Sequence, residues 1–175
     1  MKKIFFLSLV LFLSIASEAQ KFAYIDTEYI LSKVPEYDDA QKQLDALSEQ
    51  WQKQVEKRYQ AIEKMYTDLQ AEEILLTASM KNKREEEIIK KEQEARDFQK
   101  SKFGVDGELF KKRKELIKPI QEKIYKAVQE TANVGKYSVI FDKSSAATMV
   151  YSNPKYDKSD DILRRMGIKP DGDSK

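Results

Sequence analysis

The sequence predicts a mostly α-helical protein in which a long antiparallel helical hairpin, a coiled-coil-like tentacle, projects from a small β-rich oligomerisation body. Residues 36–134 contain only two glycines and one proline, and their apolar residues recur three or four positions apart, the spacing of an amphipathic helix. Short β-rich runs occur only outside this stretch. Charged residues form 35% of the chain, more than is usual for a globular domain.

The first 19 residues have the three regions of a secretory signal peptide. Lys2 and Lys3 precede an apolar run over residues 4–15, and the small residues Ser17 and Ala19 follow it. We expect cleavage before Gln20, because small residues at these two positions are typical of the cleavage site. The apolar run is too short for a membrane span. The sequence therefore predicts an exported protein.

Residues 20–35 and 135–168 are expected to form the β-rich body with a C-terminal helix. A strand near Phe22 is followed by Asp26 or Thr27, either of which can cap a short helix. Residues 137–141 and 147–151 read as a β-hairpin, so three strands would meet in one sheet. The residues assigned to the body core and to contacts between subunits are Phe22, Tyr24, Ile25, Val139, Ile140, Phe141, Met149 and Val150.

Glycines and capping residues mark the ends of the last two predicted helices. Gly135 is placed as the first residue after the long helix of the arm. Residues 157–160 can cap a last helix, and Gly167 can close it. Residues 169–175 are predicted to be a disordered tail.

Residues 36–134 are predicted to form the arm, with a narrow apolar stripe on each of its helices. A narrow stripe seats one helix against one or two neighbours and cannot enclose a globular core. The first stripe follows a heptad pattern with one four-residue stutter near Val55. Its members are Tyr37, Ala40, Leu44, Leu47, Trp51, Val55, Tyr59, Ile62, Tyr66 and Leu69.

The charges of this stretch favour a chain that folds back on itself. Residues 36–75 hold 5 basic and 10 acidic residues, whereas residues 80–134 hold 15 basic and 11 acidic ones. An acidic and a basic helix pair favourably when they run antiparallel. We expect the tip near residues 75–80, where Thr77 and Ser79 can cap a new helix. A continuous helix through Thr77 is the alternative, since neither Gly nor Pro interrupts the chain there.

Three residues of the returning arm are candidate hinges. Gly104 and Gly107, in the sequence FGVDG, should loosen the helix, either as a loop or as a bend. Pro119 should kink the helix or begin a new helical piece, because its ring clashes with the carbonyl of Glu115. The apolar stripe is also thin between residues 82 and 102, which indicates low local stability.

The size of the body predicts association between copies. About 55 ordered residues outside the arm make a marginal core, which usually needs staples or oligomerisation. The chain has no Cys and no His, so disulfides and common zinc sites are excluded. We therefore expect a homo-oligomer joined through the sheet region.

The composition also excludes several kinds of function. Without His and Cys, imidazole acid–base catalysis and thiol nucleophiles are absent, and neither glycine-rich phosphate motif occurs. Carboxylate pairs such as Asp160 and Asp161 are more typical of solvated helix faces than of catalysis. A net charge of +2 gives little support to nucleic-acid binding. We expect no enzymatic activity, no cofactor and no nucleic-acid partner.

Two segments at the ends of the mature chain resemble the Skp/OmpH family of periplasmic chaperones. They are KFAYIDTEYILSKVPEY, from residue 21, and FDKSS with the later VYSNPKYDKSDDIL, from residues 141 and 150. The resemblance implies a trimer whose β-rich body carries three helical tentacles around a cavity. It also implies a periplasmic location and ATP-independent holding of unfolded outer-membrane β-barrel proteins, called clients below. The FGVDG interruption departs from the smooth second helix that the family implies.

A holding chaperone needs apolar side chains that face a client. The candidates lie off the stripe inside the hairpin or near the tip, with packing inside the hairpin as the alternative for each. They are Met65, Ile74, Leu75, Leu76, Met80, Ile88, Phe98 and Phe103. A structural or adaptor coiled-coil protein of the cell envelope is the alternative function. Transient contact with membrane lipid is a weaker candidate, because the basic residues are interleaved with acidic ones.

Overall fold

The computed structural model describes residues 20–145 and 149–170. The predicted signal peptide, residues 146–148 of the predicted second hairpin strand and residues 171–175 of the predicted tail lie outside this part of the chain. Within it, the protein divides into two compact units. The arm comprises residues 34–122, and the body comprises the described residues before and after it.

The elements follow one another in a simple order along the chain. Strand β1 is Lys21–Ile25, and strand β2 is Tyr137–Asp142. The five α-helices are α1 (Thr27–Lys33), α2 (Pro35–Glu72), α3 (Ala78–Phe103), α4 (Glu108–Gly135) and α5 (Ser159–Arg165). Two short 3₁₀ helices occupy Glu73–Leu75 and Pro154–Tyr156. The predicted class, mostly α with a long helical hairpin and a small sheet, is confirmed.

The sheet of the body contains two parallel strands, where the sequence predicted three strands including a hairpin. Phe22 pairs with Val139 and Tyr24 with Phe141. The predicted partner strand over residues 147–151 is absent from its described part, Met149 to Tyr151. The meeting of the strand near Phe22 with residues 137–141 agrees with the prediction. The predicted hairpin strand does not form in its described residues, because strand propensity depends on packing against neighbouring strands and not on a local turn signal alone.

The apolar core of the body lies under this sheet. Ala23 and Ile25 are buried on one face of β1, and Ile30 of α1 is fully buried. Ile162 and Leu163 of α5 are also fully buried, and α5 contacts α1. Asp26 caps α1 as predicted, because its Oδ1 accepts a hydrogen bond of 3.0 Å from the Tyr29 N–H.

The end of α4 differs from the expected glycine cap. Gly135 is the last residue of the helix, and Lys136 adopts the positive φ of 51°. A Cβ atom on Gly135 would collide with the ring of Tyr137. Glycine here leaves room for the Tyr137 ring, and the left-handed backbone falls one residue later, at Lys136. Gly167, with φ of 76°, follows α5 as predicted.

The arm is a helical hairpin, as predicted, and the alternative of a continuous helix through Thr77 is wrong. Thr77 precedes α3, and its side-chain oxygen accepts a hydrogen bond from the Met80 N–H. The helices run antiparallel, because contacts join Tyr59 to Gln99 and Tyr66 to Glu92. The chain therefore reverses between α2 and α3.

Part of the predicted apolar stripe forms the seam of this hairpin, the surface along which α2 and α3 pack together. Ala40, Leu44, Val55 and Ile62 of α2 are all buried. Ile62 packs in one cluster with Ile88 and Ala95 of α3, and Met65 and Leu69 are packed against it. Tyr59 and Tyr66 belong to the same stripe but are exposed. Their hydroxyl groups reach polar side chains of α3.

The FGVDG segment is a turn between two helices. Helix α3 ends at Phe103, and α4 begins at Glu108. Pro119 lies inside α4, so no new helical piece starts there, and a kink within the helix stays a prediction. Of the helices built from residues 20–145 and 149–170, none is both long and apolar enough to cross a bilayer.

Candidate functional site

The tip of the arm exposes apolar side chains to solvent. Ile74 is 97% exposed and Leu75 is 81% exposed, both in the short 3₁₀ helix after α2. Met80, in the first turn of α3, is half exposed. A single helical turn cannot bury these residues against the seam, because the seam ends where the two helices separate. The tip therefore presents three of the predicted contact residues.

Ion pairs flank this apolar tip on both helices. Lys81 Nζ lies 2.5 Å from Glu73 Oε1, and Arg84 lies 3.6 Å from Glu72. The hydrogen bond from Lys81 lowers the pKa of Glu73, and the same contact raises the pKa of Lys81. Both pairs are exposed and contribute little to stability. They keep charge of both signs beside the apolar side chains.

The other predicted contact residues are more enclosed. Ile88 is 1% exposed in the seam, and Met65 packs against the same cluster. Leu76, Phe98 and Phe103 are half-buried. Packing within the hairpin accounts for Ile88, which is buried, and for the buried part of Met65, which keeps some surface exposed.

Phe98 and Phe103 belong to a cluster of rings and cations that sequence reasoning missed. The ring of Trp51 stands edge-on to Phe103 with centroids 6.2 Å apart. The Arg58 guanidinium lies 4.3 Å from the Phe98 ring centroid. Lys102 Nζ lies 5.1 Å from the Trp51 centroid. Trp51 stood in the predicted stripe, but a stripe on α2 does not indicate which residue of α3 faces it.

One face of the two-stranded sheet is apolar and exposed. Phe22, Val139 and Phe141 all lie on this face and are 41–48% exposed, and the Phe22 and Phe141 ring centroids are 6.4 Å apart. Tyr24 shares the face but is buried. We call Phe22, Val139 and Phe141 the apolar face. Neighbouring exposed apolar side chains of this kind are a candidate interaction surface.

The outer edge of the sheet is also open. Strand β1 is flanked by β2 and by an isolated bridge from Tyr24 to Asp157. Within the described ranges, no strand pairs with the other edge of β2. An open strand edge can template pairing with another chain.

The segment after β2 exposes further apolar residues. Val150 is 99% exposed, Tyr151 is exposed, and Met149 is half-buried. Together with Ile140 and Phe141, Met149 and Tyr151 line an open groove of about 1270 Å³ in the body. Of the predicted body residues, Tyr24 and Ile25 are buried and Ile140 is half-buried. The remaining ones reach the surface of the single chain.

A network of hydrogen bonds ties the separated segments of the body together. The Asp26 N–H donates to Ser159 Oγ at 2.8 Å, and the Tyr29 hydroxyl donates to Asp160 Oδ1 at 3.0 Å. Asp157 Oδ1 accepts from the Ser159 N–H at the start of α5. These residues come from the two segments that carry the sequence resemblance. Their part in the fold is to hold β1 and α1 against α5.

Asp142 makes a second connection of this kind. Its Oδ1 accepts hydrogen bonds from the Thr27 N–H at 3.2 Å and from the N–H and hydroxyl of Ser144. Partial burial raises the pKa of this carboxyl, but the hydrogen bonds from Thr27 and Ser144 outweigh burial and lower the pKa overall. The ionised form of Asp142 therefore stabilises the body.

The described residues offer surfaces for binding and no cluster for metal chemistry. Among residues 20–145 and 149–170, no group of three or more His, Cys, Asp or Glu residues is placed to hold a metal ion. The exposed features are an apolar arm tip, an apolar sheet face and an open strand edge. This geometry defines a class of protein that combines a helical hairpin with a small α/β body.

Comparison with known proteins identifies the family within this class. The family model for outer membrane protein (OmpH-like) matches residues 21–166. The chain therefore belongs to the OmpH-like family. The predicted Skp/OmpH resemblance is confirmed.

Two known proteins illustrate the similarity. A protein of Aquifex aeolicus (strain VF5), named only as uncharacterized, is 28% identical over 166 residues, which are 95% of this chain and 96% of that protein. The crystal structure of a candidate outer membrane chaperone (OmpH-like) from Caulobacter crescentus CB15 matches with a TM-score of 0.68. It shares 10% identity, with 86% of each chain covered, and this second likeness concerns the fold.

Proposed function

We propose that this protein is an ATP-independent periplasmic holdase chaperone that binds unfolded outer-membrane β-barrel proteins and keeps them soluble for delivery to the outer membrane. The observation that carries the proposal is the solvent-exposed apolar tip formed by Ile74, Leu75 and Met80. Membership of the OmpH-like family supports it, as does the name of the Caulobacter structure. The proposed activity is binding without catalysis.

The tip suits weak and repeated contact with many sequences. Full burial of one Ile or Leu side chain contributes about 1.5–3 kcal/mol, so a single tip holds an unfolded chain only weakly. Several tips in one assembly would raise the effective concentration and hold the client by avidity. Met80 suits such use because a methionine side chain adapts to varied surfaces. Phe98, Phe103 and Leu76 are candidate secondary contacts.

The proposal includes a homo-oligomer, expected to be a trimer, with a cavity between the arms. The apolar face and the open edge of β2 are the surfaces that we assign to association. Val150 and Met149, on the segment after β2, are further candidates for contact between subunits. Gly104, Gly107 and Pro119 are the proposed hinges that let an arm adapt to clients of different size.

The proposed location is the periplasm, reached through a cleaved signal peptide over residues 1–19. The mass of the chain recovered from a periplasmic extract checks this step, with Gln20 expected as the first residue. A chain that retains residues 1–19 would contradict it.

Suppression of aggregation tests the holdase activity. A denatured outer-membrane β-barrel protein is diluted into buffer with the mature chain, and light scattering is followed without nucleotide. We expect the assembled mature chain, at a concentration equimolar with the denatured protein, to suppress scattering. The double variant Ile74→Ser, Leu75→Ser should need about fivefold more protein for the same effect, because each lost contact weakens binding.

A matched control distinguishes the loss of the apolar tip from a general increase in the polarity of the surface. Val105 is 89% exposed but lies in the turn between α3 and α4, so Val105→Ser should suppress scattering as well as the parent chain. Equal activity of the double variant and the parent would remove the tip from the proposal. An assembled parent chain without any suppression would instead favour the structural or adaptor role in the cell envelope.

A further inference from the structure

The turn between α3 and α4 is bridged by a charged side chain. Lys102, in the last turn of α3, places its Nζ 2.5 Å from Oε1 of Glu108, the first residue of α4. The Lys102 side chain is only 17% exposed, whereas the Glu108 side chain is half exposed. One ion pair therefore spans the ends of the two helices, with its cation sheltered and its anion open to solvent.

Aromatic rings from both helices of the arm enclose the same cation. Lys102 Nζ lies 5.1 Å from the ring centroid of Trp51 on α2 and 5.4 Å from that of Phe98 on α3. The negative faces of aromatic rings attract an ammonium group. Phe103 stands edge-on to Trp51 and adds apolar surface to this pocket. Lys102 thus joins α2, α3 and the start of α4.

The backbone of the turn is tightly wound around two glycines. The Gly104 N–H donates to the Lys100 carbonyl and the Gly107 N–H donates to the Gly104 carbonyl, each at 2.8 Å. A Cβ atom on Gly104 would lie 2.5 Å from the Lys100 oxygen, and one on Gly107 would lie 2.9 Å from the Gly104 nitrogen. Glycine is needed at both positions because the backbone approaches itself so closely. Glycine also leaves the turn free to rearrange once its contacts are lost.

We propose that Lys102 is a salt-sensitive latch that fixes the angle between α3 and α4 at this turn. With Lys102 bound to Glu108 and the two rings, the turn holds one conformation. When salt screens the ion pair, the glycine turn becomes a hinge. The half-exposed carboxylate of Glu108 makes the pair accessible to counterions, because the screening length falls from about 10 Å at 0.1 M to about 3 Å at 1 M salt. The latch is a property of the arm and does not depend on client binding.

Spin labels across the turn test the latch in the assembled mature chain. The sequence contains no Cys, so Lys83→Cys and Lys114→Cys provide unique labelling sites in α3 and α4. Labelled chains are mixed with an excess of unlabelled chains so that one pair is measured in each assembly. We expect a narrow distance distribution at low salt that broadens at least twofold at about 1 M salt.

Two variants each remove one charge of the Lys102–Glu108 ion pair. Lys102→Met retains the apolar stem but removes the charge, and Glu108→Gln removes the partner charge. Both should show the broad distribution already at low salt, with a red-shifted emission from Trp51, the single tryptophan of the chain. Lys91→Met is the matched control, because it breaks the Lys91–Glu94 pair of 2.7 Å within α3. It should respond to salt as the parent chain does.

Three results would contradict the proposed latch. Narrow distributions in both Lys102→Met and Glu108→Gln would overturn the latch, whether or not either variant is less stable. A parent chain whose distribution is unchanged at high salt would overturn its salt sensitivity. A Lys91→Met chain as broad as Lys102→Met would show that any lost charge pair loosens the arm, which also contradicts the proposal.

Discussion

At the scale of single residues, short polar side chains join segments of the body that lie far apart in the sequence. Asp142 binds the Thr27 N–H across 115 positions, and Asp26 binds Ser159 across 133 positions. Each such contact satisfies a backbone donor that helix α1 or strand β1 would otherwise leave unpaired. These residues therefore hold β1 and α1 against the C-terminal part of the body within the single chain.

The hydrogen bonds to Asp142 predict a pH dependence of stability. Because they lower the pKa of Asp142 in the folded chain, the ionised carboxylate stabilises the fold above the unfolded value of about 3.9, and this contribution is lost as pH falls through that range. Asp142→Asn should lower the free energy of unfolding near pH 7 by about 1 kcal/mol. It should also flatten the loss of stability that the parent chain shows as pH falls below about 3.9, through the lower pKa of folded Asp142.

Urea unfolding at several pH values measures both effects. Asp68→Asn, at an exposed position of α2, is the control. Its free energy of unfolding should depend on pH as that of the parent chain does. An Asp142→Asn profile that runs parallel to that of the parent would contradict the assigned role.

At the scale of elements, the stability of the arm depends on a thin seam. Between Ala78 and Phe103, only Ile88 and Ala95 of α3 are buried. The exposed ion pairs of the arm contribute little to stability, because solvent screens them. The few apolar contacts of α3 therefore carry most of its attachment to α2, and a long helix with few contacts opens easily.

Adjacent isoleucines provide a direct test of this seam. Ile88 is 1% exposed, whereas Ile89 is 60% exposed. Ile88→Ala should lower the free energy of unfolding by about 2–4 kcal/mol, because it leaves a cavity beside Ile62 and Ala95. Ile89→Ala has the same change in composition and helix propensity, and it should cost less than about 0.5 kcal/mol.

Denaturant unfolding followed by far-UV circular dichroism compares the two variants. If Ile89→Ala proved as destabilising as Ile88→Ala, the assignment of Ile88 to the seam would be wrong. Hydrogen exchange in α3 should accelerate in the first variant and not in the second.

At the scale of the whole molecule, the exposed surface of the body is the basis of the proposed association. The apolar face and the open edge of β2 lie on the same small sheet. A body of this size has little core of its own. Apolar surface that stays in water also does not contribute the free energy that its burial would release. Contact between copies of the chain would cover both features.

A charged substitution on the apolar face tests this proposal. Phe141→Asp should lower the mass of the assembly in analytical ultracentrifugation from that of a trimer to that of a monomer, because an unpaired carboxylate would be buried in the contact. Val139→Lys is a second variant on the same face and should act in the same direction. A parent chain that sediments as a monomer at micromolar concentration would contradict the proposed oligomer.

The control for this experiment is an exposed aromatic residue elsewhere in the body. Tyr125 of α4 is 64% exposed and lies away from the sheet in sequence, so Tyr125→Asp should leave the mass of the assembly unchanged. Dissociation of Tyr125→Asp to the same extent would show that the apolar face is not the specific contact.

Much of the arm could be predicted from the sequence because its determinants are local. The three- and four-residue spacing of Ala40, Leu44 and Ile62 places them on one face of a helix wherever that helix lies. Thr77 acts as a cap through its own backbone geometry and the N–H three residues later. Pro119 lies inside α4, so of the two predicted effects of this proline only a kink within the helix remains as a prediction.

The sequence by itself determined the helices of this protein, the cap at Thr77 and the residue types that exclude thiol and imidazole chemistry. The parallel pairing of β1 with β2, the enclosure of Lys102 by Trp51 and Phe98, and the exposure of the apolar face were decided by the tertiary structure alone. The physical reason is distance along the chain. A helix forms from contacts three and four residues apart, whereas each of these features depends on partners brought together only after the chain has folded back.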